Sequence, residues 1–255
     1  MNRTRSLTFF AAFAAALSSS MAFLPSTNSN RMQVQLLHSS STSSTTSFIE
    51  NELRGAAMRL HTRQQAPKEG QAPAKKMEPY TPTRADYLQF LIDSQHVYKA
   101  FESFVNERPE LEAFRNTGLE RVAPLETDIT FMCNEYGLTR TEVGQPGLKY
   151  AEMIRGIQSI PEFMCHYYNF YFAHTAGGRM IGKQMSALLL DKKTLEFYKW
   201  DGDLNQIKAR VKESIENMAA HWSEKEKQEC VDATAAAFQG GGGVNSHLSG
   251  GQSPH

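Results

Sequence analysis

Residues 166–185 read HYYNFYFAHTAGGRMIGKQM, a stretch in which a histidine lies beside backbone that carries almost no side chains. Ala173 and Gly177 are four residues apart, so in a helix they form one smooth patch. Such a patch lets the backbone lie close to a planar macrocycle, and His174 beside it can join a water network near bound oxygen. Neighbouring apolar side chains would form the walls of this site: Phe163, Tyr167, Phe170 and Ile181.

The glycines of this stretch also have a purely structural interpretation. Each glycine inside a helix costs about 1 kcal/mol relative to alanine, and the pair Gly177-Gly178 favours a kink. Gly178 and Gly182 are four residues apart, a spacing that suits tight helix–helix packing through small residues. From these residues alone, a site for a flat ligand and a packing surface both stay open.

A second candidate is His61, within MRLHTR at 58–63. A neutral imidazole is a suitable axial ligand for haem iron. On a helix, Ala57 one turn back leaves room for a flat group, and Arg54 two turns back can reach an anion at its edge. A single helical histidine is more often exposed or hydrogen-bonded within a core, so His61 alone does not decide between these roles.

Several other chemistries are excluded or disfavoured. The sequence has no His-Glu-x-x-His and no Gly-x-Ser-x-Gly. His166 and His174 are eight residues apart, about 80° around a helix, which makes a poor metal pair. The three cysteines are widely spaced and predict free thiols. Residues 50–255 carry 24 basic and 27 acidic side chains, and this mildly acidic body argues against nucleic-acid binding.

The elements that must position these residues are helices. The apolar spacing and the caps between about 47 and 240 predict one all-α domain of six to eight helices, without strands. Thr83 with Asp86, and Ser223 with Glu226, have the spacing of capping boxes. Helices are expected at 48–66, from 83 past 101, at 111–136 with a break near Pro124, and at 147–160, 161–190, 204–221 and 223–238.

The two ends differ in composition from this domain. Arg3 and Arg5 precede an apolar run of about eleven residues, typical of a signal peptide over about 1–22 and too short to span a bilayer. Residues 23–46 are rich in Ser and Thr and lack acids, like a transit peptide. We expect no other segment to insert stably in a membrane. The glycine-rich tail at 241–255 is predicted to be disordered.

Four blocks in this order resemble the haem oxygenase family, of the plant and algal plastid type. They are AMRLHTRQQAPKEG at 57–70, NTGLERVAPLETDI at 116–129, HYYNFYFAHTAGGRMIGK at 166–183 and LEFYKWDG at 195–202. The resemblance implies an all-α fold in which haem lies between a proximal and a kinked distal helix. The junction SMAFLP at 20–25 similarly resembles the cleavage motif of plastid precursors in algae with complex plastids, with the cut before Phe23; the alternative is a secreted protein with a flexible linker.

The resemblance also implies roles for individual residues. His61 would be the proximal iron ligand, and Ala173, Gly177 and Gly178 would be the bare positions of the distal helix. Many family members have an aspartate where this chain has His174. Members of the plant type have a histidine there, as this chain does. Tyr168 matches a tyrosine at a haem propionate. The further haem-binding candidates are Phe170 as an apolar wall, Arg54 by its spacing, and Lys208, Arg210 or Lys212, among which the alignment does not choose.

The resemblance finally implies a reaction. Haem would be both cofactor and substrate, and O2 with electrons from reduced ferredoxin would open it to biliverdin, carbon monoxide and ferrous iron for bilin chromophore synthesis. The protein would be a monomer in the chloroplast stroma, with Arg54, Arg59, Arg63, Arg179 and Lys183 as a basic surface for ferredoxin. The alternatives are a non-catalytic haem-binding or haem-sensing protein on the same fold, and a helical scaffold without haem. Some plastid paralogues have lost the proximal histidine, whereas this chain keeps His61.

Overall fold

A computed structural model describes residues 47–65 and 80–250, and within them the chain forms nine α-helices and no strand. The all-α prediction is therefore confirmed for this part of the chain. None of these helices has the length and the hydropathy needed to cross a bilayer. The predicted presequence at 1–46 and the last residues, 251–255, lie outside the described residues.

The first helical segment starts with a π-helical turn, Ile49–Leu53, and continues as α1, Arg54–Gln65. Its start is fixed by Glu216, whose carboxylate accepts hydrogen bonds from the backbone N–H groups of Phe48 and Ile49 at 3.0 and 2.9 Å. This carboxylate satisfies donors that the first turn of a helix leaves without partners.

The longest helix is α2, Arg84–Glu107, and it forms the centre of the core. The predicted capping box is present, because Thr83 Oγ1 accepts from Asp86 N while the Asp86 carboxylate accepts from Thr83 N. This helix packs mainly against α3, Val122–Tyr136, and α4, Gln145–Gly156.

The predicted helix at 111–136 is interrupted, but not at Pro124. A 3-10 helix, Pro109–Phe114, is followed by a loop, and α3 then begins at Val122 with Pro124 in its first turn. A proline costs little there because the first N–H groups of a helix have no intrahelical acceptor. The break lies instead at Arg121 and Val122, whose N–H groups donate to Glu102 Oε1 at 2.8 and 3.0 Å.

The glycine-bearing helix is continuous but irregular. It runs through α5, Ile160–Ala173, then a π-helical turn, His174–Gly178, and then α6, Arg179–Leu189. A 3-10 turn, Glu196–Tyr198, follows and packs against α3. The remaining helices are α7, Leu204–Ala219, α8, Glu224–Asp232, and α9, Thr234–Asn245.

The prediction of a disordered tail is wrong for residues 241–250. Helix α9 continues through the four glycines, and a 3-10 turn, Ser246–Ser249, follows it. Tertiary contacts outweigh the weak helix propensity: Val244 and Leu248 are buried, and His247 Nε2 lies 2.9 Å from Asp93 Oδ2.

Asp93 connects this C-terminal segment to the start of α4. Its fully buried carboxylate accepts hydrogen bonds from Gly144 N at 2.7 Å and Gly147 N at 3.1 Å, in addition to the contact with His247. Burial alone would raise the pKa of Asp93, but these hydrogen bonds and one from Gln89 outweigh it and hold that pKa below its ordinary value.

Candidate functional site

The glycine-bearing helix, residues 160–189, is called the distal segment below. A cavity of about 60 Å³ lies between this segment, α2, the 3-10 turn at Glu196–Tyr198 and α9. By volume it can hold a few water molecules or a diatomic molecule. Its lining is largely apolar and aromatic, with a few polar groups. The residues that line it from the distal segment are Asn169, Phe170, Ala173, His174, Gly178 and Ile181.

The structure assigns different tasks to the glycines of this segment. A Cβ at Gly178 would lie 2.8 Å from His174 Nδ1, so a larger residue would displace the histidine. A Cβ at Gly182 would lie 2.7 Å from three atoms of the Tyr198 ring. Gly182 is therefore a packing position, but its partner is the 3-10 turn rather than another helix. Ala173 and Gly178 form the bare wall of the cavity, and Gly177 is buried in the π turn.

The π-helical turn at His174–Gly178 lies where the sequence predicted a kink. A single π turn inserts one extra residue into an α-helix and is frequent at functional sites. Here it includes His174, Gly177 and Gly178, three of the predicted catalytic residues. The fourth, Ala173, is the residue immediately before it.

His174 is buried and held in one orientation. Its Nε2 lies 2.8 Å from the carbonyl oxygen of Phe197, and its ring stacks on the Phe197 ring at a centroid distance of 3.9 Å. A carbonyl only accepts, so Nε2 carries a proton and donates it. Burial lowers the pKa of His174 to about 3, which keeps the imidazole neutral at physiological pH.

Phe197 is itself fixed at its backbone by two side chains. Its N–H donates to Asp128 Oδ2 at 2.7 Å, and the neighbouring Glu196 N–H donates to Asp128 Oδ1 at 2.9 Å. The buried Arg121 donates to the carbonyl oxygen of Lys199 at 2.6 Å and reaches that of Phe197 at 3.5 Å. Sequence reasoning missed Asp128 and Arg121 as part of this site, although both lie in the block at 116–129.

The candidates for binding anionic groups form a cluster beside the distal helix. Arg54 Nη1 and Lys212 Nζ both contact the carboxylate of Glu50, at 2.5 and 2.8 Å. Tyr168 is buried nearby and stacks on Phe172. Burial raises the pKa of the Tyr168 phenol, and the charge of Glu50 adds to this while that of Arg54 opposes it.

Lys208 and Arg210, both predicted on α7, lie in different surroundings. Burial lowers the pKa of Lys208, and the positive charges of Lys212 and Arg179 lower it further. Lys208 has no ion pair to a carboxylate within the described residues, so this half-buried cation can accept an anionic partner. Arg210 is exposed and about 200° around the helix from Lys208, so the structure does not bring it into this cluster.

His61 falls in α1, and Ala57 one turn before it is buried. The side chain of His61 lies outside the described part of the chain. Helix α1 contacts α9, which also lines the cavity. The assignment of His61 as the axial ligand therefore remains a prediction.

The other histidine of the distal segment is structural. His166 is buried and its Nδ1 lies 3.1 Å from the hydroxyl of Tyr150, a residue that contacts Gly240 of α9. Burial lowers the pKa of His166 to about 4. It does not line the cavity with His174. No group of three or more metal-binding side chains is present among the described residues.

Haem is a flat, largely apolar ligand with two carboxylates. The cavity is much smaller than haem, but the types of residue around it suit such a molecule: it offers a small methyl group at Ala173, bare backbone at Gly178, and aromatic walls at Phe170 and Phe197. The cations beside the distal segment include Lys208, which lacks a carboxylate partner among the residues described. The planar ring of haem suits the cavity wall, and its two carboxylates suit the cations.

Curated relatives of the chain are chloroplast proteins of plants. It is 41% identical over 206 residues to heme oxygenase 1, chloroplastic, of Arabidopsis thaliana, which covers 77% of this chain and 72% of the relative. It is 42% identical over 208 residues to the protein of the same name in rice, Oryza sativa subsp. japonica, over 79% of this chain and 71% of the relative. Identity is 36%, over 64% of this chain and 56% of the relative, to an Arabidopsis protein named "Probable inactive heme oxygenase 2, chloroplastic".

The fold is similar to that of a solved bacterial structure. Haem oxygenase-1 of the cyanobacterium Synechocystis sp. PCC6803, in complex with haem, superposes with a TM-score of 0.60 and 17% identity over 78% of this chain and 91% of that one. No protein-family model matches the chain. The identity to the plant relatives and the length over which it extends nevertheless decide the question: the chain belongs to the haem oxygenase family.

Proposed function

We propose that this protein opens haem to biliverdin, carbon monoxide and ferrous iron, using O2 and electrons from reduced ferredoxin. The observation that carries the proposal is the cavity in which Ala173 and Gly178 present bare backbone beside a buried, neutral His174. When bound, haem supplies both the site of oxygen activation and the ring that is opened.

The chain's own residues would bind and orient this substrate. The imidazole of His61 would hold the haem iron, and the π-helical turn would line the haem site. Because Gly178 has no Cβ, His174 keeps its place, and the backbone there would be open to the haem ring. The lone pair on His174 Nδ1 would accept a hydrogen bond from water in the cavity, since Nε2 is the protonated nitrogen.

The propionates would meet the cluster around Lys208. We assign this role to Lys208 with Tyr168 and Arg54, and replace Arg210 with Lys212, which shares the face of Lys208. A carboxylate bound between Lys208 and Lys212 would relieve the repulsion between the two ammonium groups. Lys212→Ala should therefore weaken hemin binding more than Arg210→Ala, as measured by titration of the Soret band; equal effects would contradict the assignment.

The electron donor would dock on basic residues of α1 and α6. Arg179 and Lys183 are exposed and four residues apart on α6, and Arg54 and Arg59 lie on α1; Arg63 completes the predicted set. Charge complementarity to an acidic ferredoxin speeds encounter and makes it salt-sensitive. Turnover should fall as salt rises. A rate that stays flat from low to high ionic strength would contradict this docking.

The decisive experiment is spectroscopic. Hemin is added to the protein and the Soret band is recorded, after which ferredoxin, its reductase and NADPH are added in air with an iron chelator. We expect the Soret band to disappear and a biliverdin band to grow, and His61→Ala should abolish this change while the fold remains. A haem spectrum that survives reduction in air would instead identify a haem-binding protein, and the absence of any Soret shift would contradict haem binding altogether.

The remaining proposals concern the cell. We propose that residues 1–46 direct the protein to the stroma of a complex plastid, that it acts there as a monomer, and that its product feeds bilin chromophores. A fluorescent fusion of residues 1–46 should enter the plastid of such an alga, and Phe23→Ala should stop it before that compartment. Import unaffected by Phe23→Ala would contradict the assigned cleavage motif, and sedimentation of the purified protein checks the monomer.

A further inference from the structure

The distal histidine is connected to helix α3 through the backbone of a single residue, Phe197. His174 Nε2 donates to the Phe197 carbonyl oxygen at 2.8 Å, and on the other side the Phe197 N–H donates to Asp128 Oδ2 at 2.7 Å. The second oxygen of Asp128 accepts from Glu196 N at 2.9 Å. Asp128 therefore holds the strip of backbone whose carbonyl orients the imidazole, although its carboxylate does not touch the cavity.

The orientation of this imidazole decides what it offers to the cavity. Since Nε2 carries the proton and the ring stays neutral, Nδ1 has a free lone pair. Nδ1 lies beside Gly178, which lines the cavity together with His174. A ring turned by 180° about its Cβ–Cγ bond would place the carbon Cδ2 where Nδ1 lies, so the cavity would lose this acceptor and the carbonyl of Phe197 would lose its donor.

We propose that Asp128 is a positioning residue for His174: Asp128 acts through the backbone of Phe197 and keeps Nδ1 of the imidazole turned toward Gly178 and the cavity. This inference rests on the proposed function of His174 in haem opening. A carboxylate in the middle of α3 with 2% exposure is costly to bury. The two backbone N–H groups it accepts offset that cost, and they belong to the turn that fixes the histidine.

Protonation of Asp128 provides a natural perturbation of this connection. Burial raises the pKa of Asp128 to about 6, although the N–H groups of Phe197 and Glu196 act against the increase. The charged and titratable side chains that face it are Glu196, Lys199, Tyr87 and Tyr198. A protonated oxygen donates instead of accepting, so one of the two backbone bonds must weaken when Asp128 takes up its proton.

The test combines nuclear magnetic resonance of the haem-free protein with kinetics. Histidine is labelled with nitrogen-15, and the His174 signals are assigned by their loss in His174→Gln. In the wild type we expect the tautomer with a proton on Nε2, and a small change in these signals centred near pH 6, although the ring itself stays neutral. Asp128→Asn should abolish that inflection and speed the solvent exchange of the Nε2 proton.

Turnover provides the second measurement. Asp128→Asn should lower kcat roughly tenfold, the lower end of the loss seen when the group that orients a functional histidine is removed, with hemin affinity changed less than about twofold. Asp203→Asn is the matched control, because Asp203 also accepts from two backbone N–H groups, of Asn205 and Gln206, but at the start of α7. It should change neither the His174 signals nor kcat.

Unchanged His174 signals in Asp128→Asn would overturn the proposal, whatever the turnover. If Asp128→Asn does not fold, the wild-type titration decides: no inflection between pH 5 and 7 would overturn the proposal as well. Full turnover by His174→Ala would instead overturn the proposed function of His174. The signals of the haem-free protein would still report on the connection to Asp128, so the two failures can be distinguished.

Discussion

Two glycine-rich helices line the cavity, and glycine serves a different purpose in each. In the distal segment, Gly178 and Gly182 lie where a Cβ would strike His174 and Tyr198 at 2.8 and 2.7 Å. In α9, only Gly240 is confined in this way, by the ring of Tyr150 at 2.3 Å, whereas nothing lies within 4 Å of a Cβ at Gly242. The distal glycines are required by their neighbours, while most glycines of α9 only weaken the helix.

The distal segment and α9 also differ in the contacts that hold them in place. The distal segment is fixed along its length by buried aromatic rings, among them Tyr167, Tyr168 and Tyr171. Helix α9 contains four consecutive glycines, each costing about 1 kcal/mol of helix stability relative to alanine. It depends on contacts at its ends, such as His247 with Asp93 and the packing of Gly240 on Tyr150. We therefore expect α9 to open more readily than the distal segment.

The largest effect is expected for Gly182→Ala. The new methyl group would overlap the Tyr198 ring, which is buried and whose hydroxyl lies 3.1 Å from that of Tyr87. Because the ring has little room to move, we expect a loss of about 3 kcal/mol in the free energy of unfolding, measured with urea. Lys183→Ala, at the adjacent exposed position, should change it by less than about 0.5 kcal/mol. A neutral Gly182→Ala would contradict the packing assigned to Gly182.

Gly240→Ala should cost less, about 2 kcal/mol, because α9 lies near the end of the described chain and can shift away from Tyr150. The control is Gly242→Ala in the same helix, which meets no atom and should stabilise the protein by about 0.5–1 kcal/mol through helix propensity. Thermal unfolding of the two variants measures the contrast. If both substitutions destabilise the protein equally, Gly240 is no more closely confined than Gly242, and the proposed contrast is wrong.

The smallest effect is expected for Asp93→Asn, roughly 1.5 kcal/mol at neutral pH, from the weakened bonds to His247, Gly144 and Gly147. The pKa of Asp93 is lower in the folded state than in the unfolded chain. Its contribution is therefore present above about pH 4 and disappears as pH falls through the folded pKa. Acid unfolding of wild type and variant should converge at low pH, and hydrogen exchange should locate the loosening in α9. If the free energies of unfolding of wild type and variant differ by the same amount at every pH, the ionisation of Asp93 does not cause the difference.

Much of the architecture was predictable because its signals are local. The capping boxes at Thr83 and Ser223 depend on residues three apart, and both occur in the structure. The break in the predicted helix at 111–136 was placed wrongly because proline in a first turn does not interrupt a helix. The break depends instead on Glu102, which lies on another helix and meets Arg121 and Val122 only after folding.

The candidate site divides in the same way. Spacing within one helix predicted a bare wall at Ala173 and Gly177, but the structure places Ala173 and Gly178 at the cavity, and Gly177 is not among its lining residues. The resemblance left Lys208, Arg210 and Lys212 open as partners for an anion. The structure separates them, because the surroundings of each depend on Arg179 and Glu50 from other helices. The connection from Asp128 to His174 spans 46 residues of sequence and has no local signal.

By itself, the sequence determined the helical class, the caps and the family, since all of these follow from residues close together in the chain or from blocks in a fixed order. Only the tertiary structure decided that residues 241–245 are helical, which glycine contacts which ring, and which nitrogen of His174 carries the proton. These features depend on contacts between distant segments, where burial and hydrogen bonding outweigh local propensity.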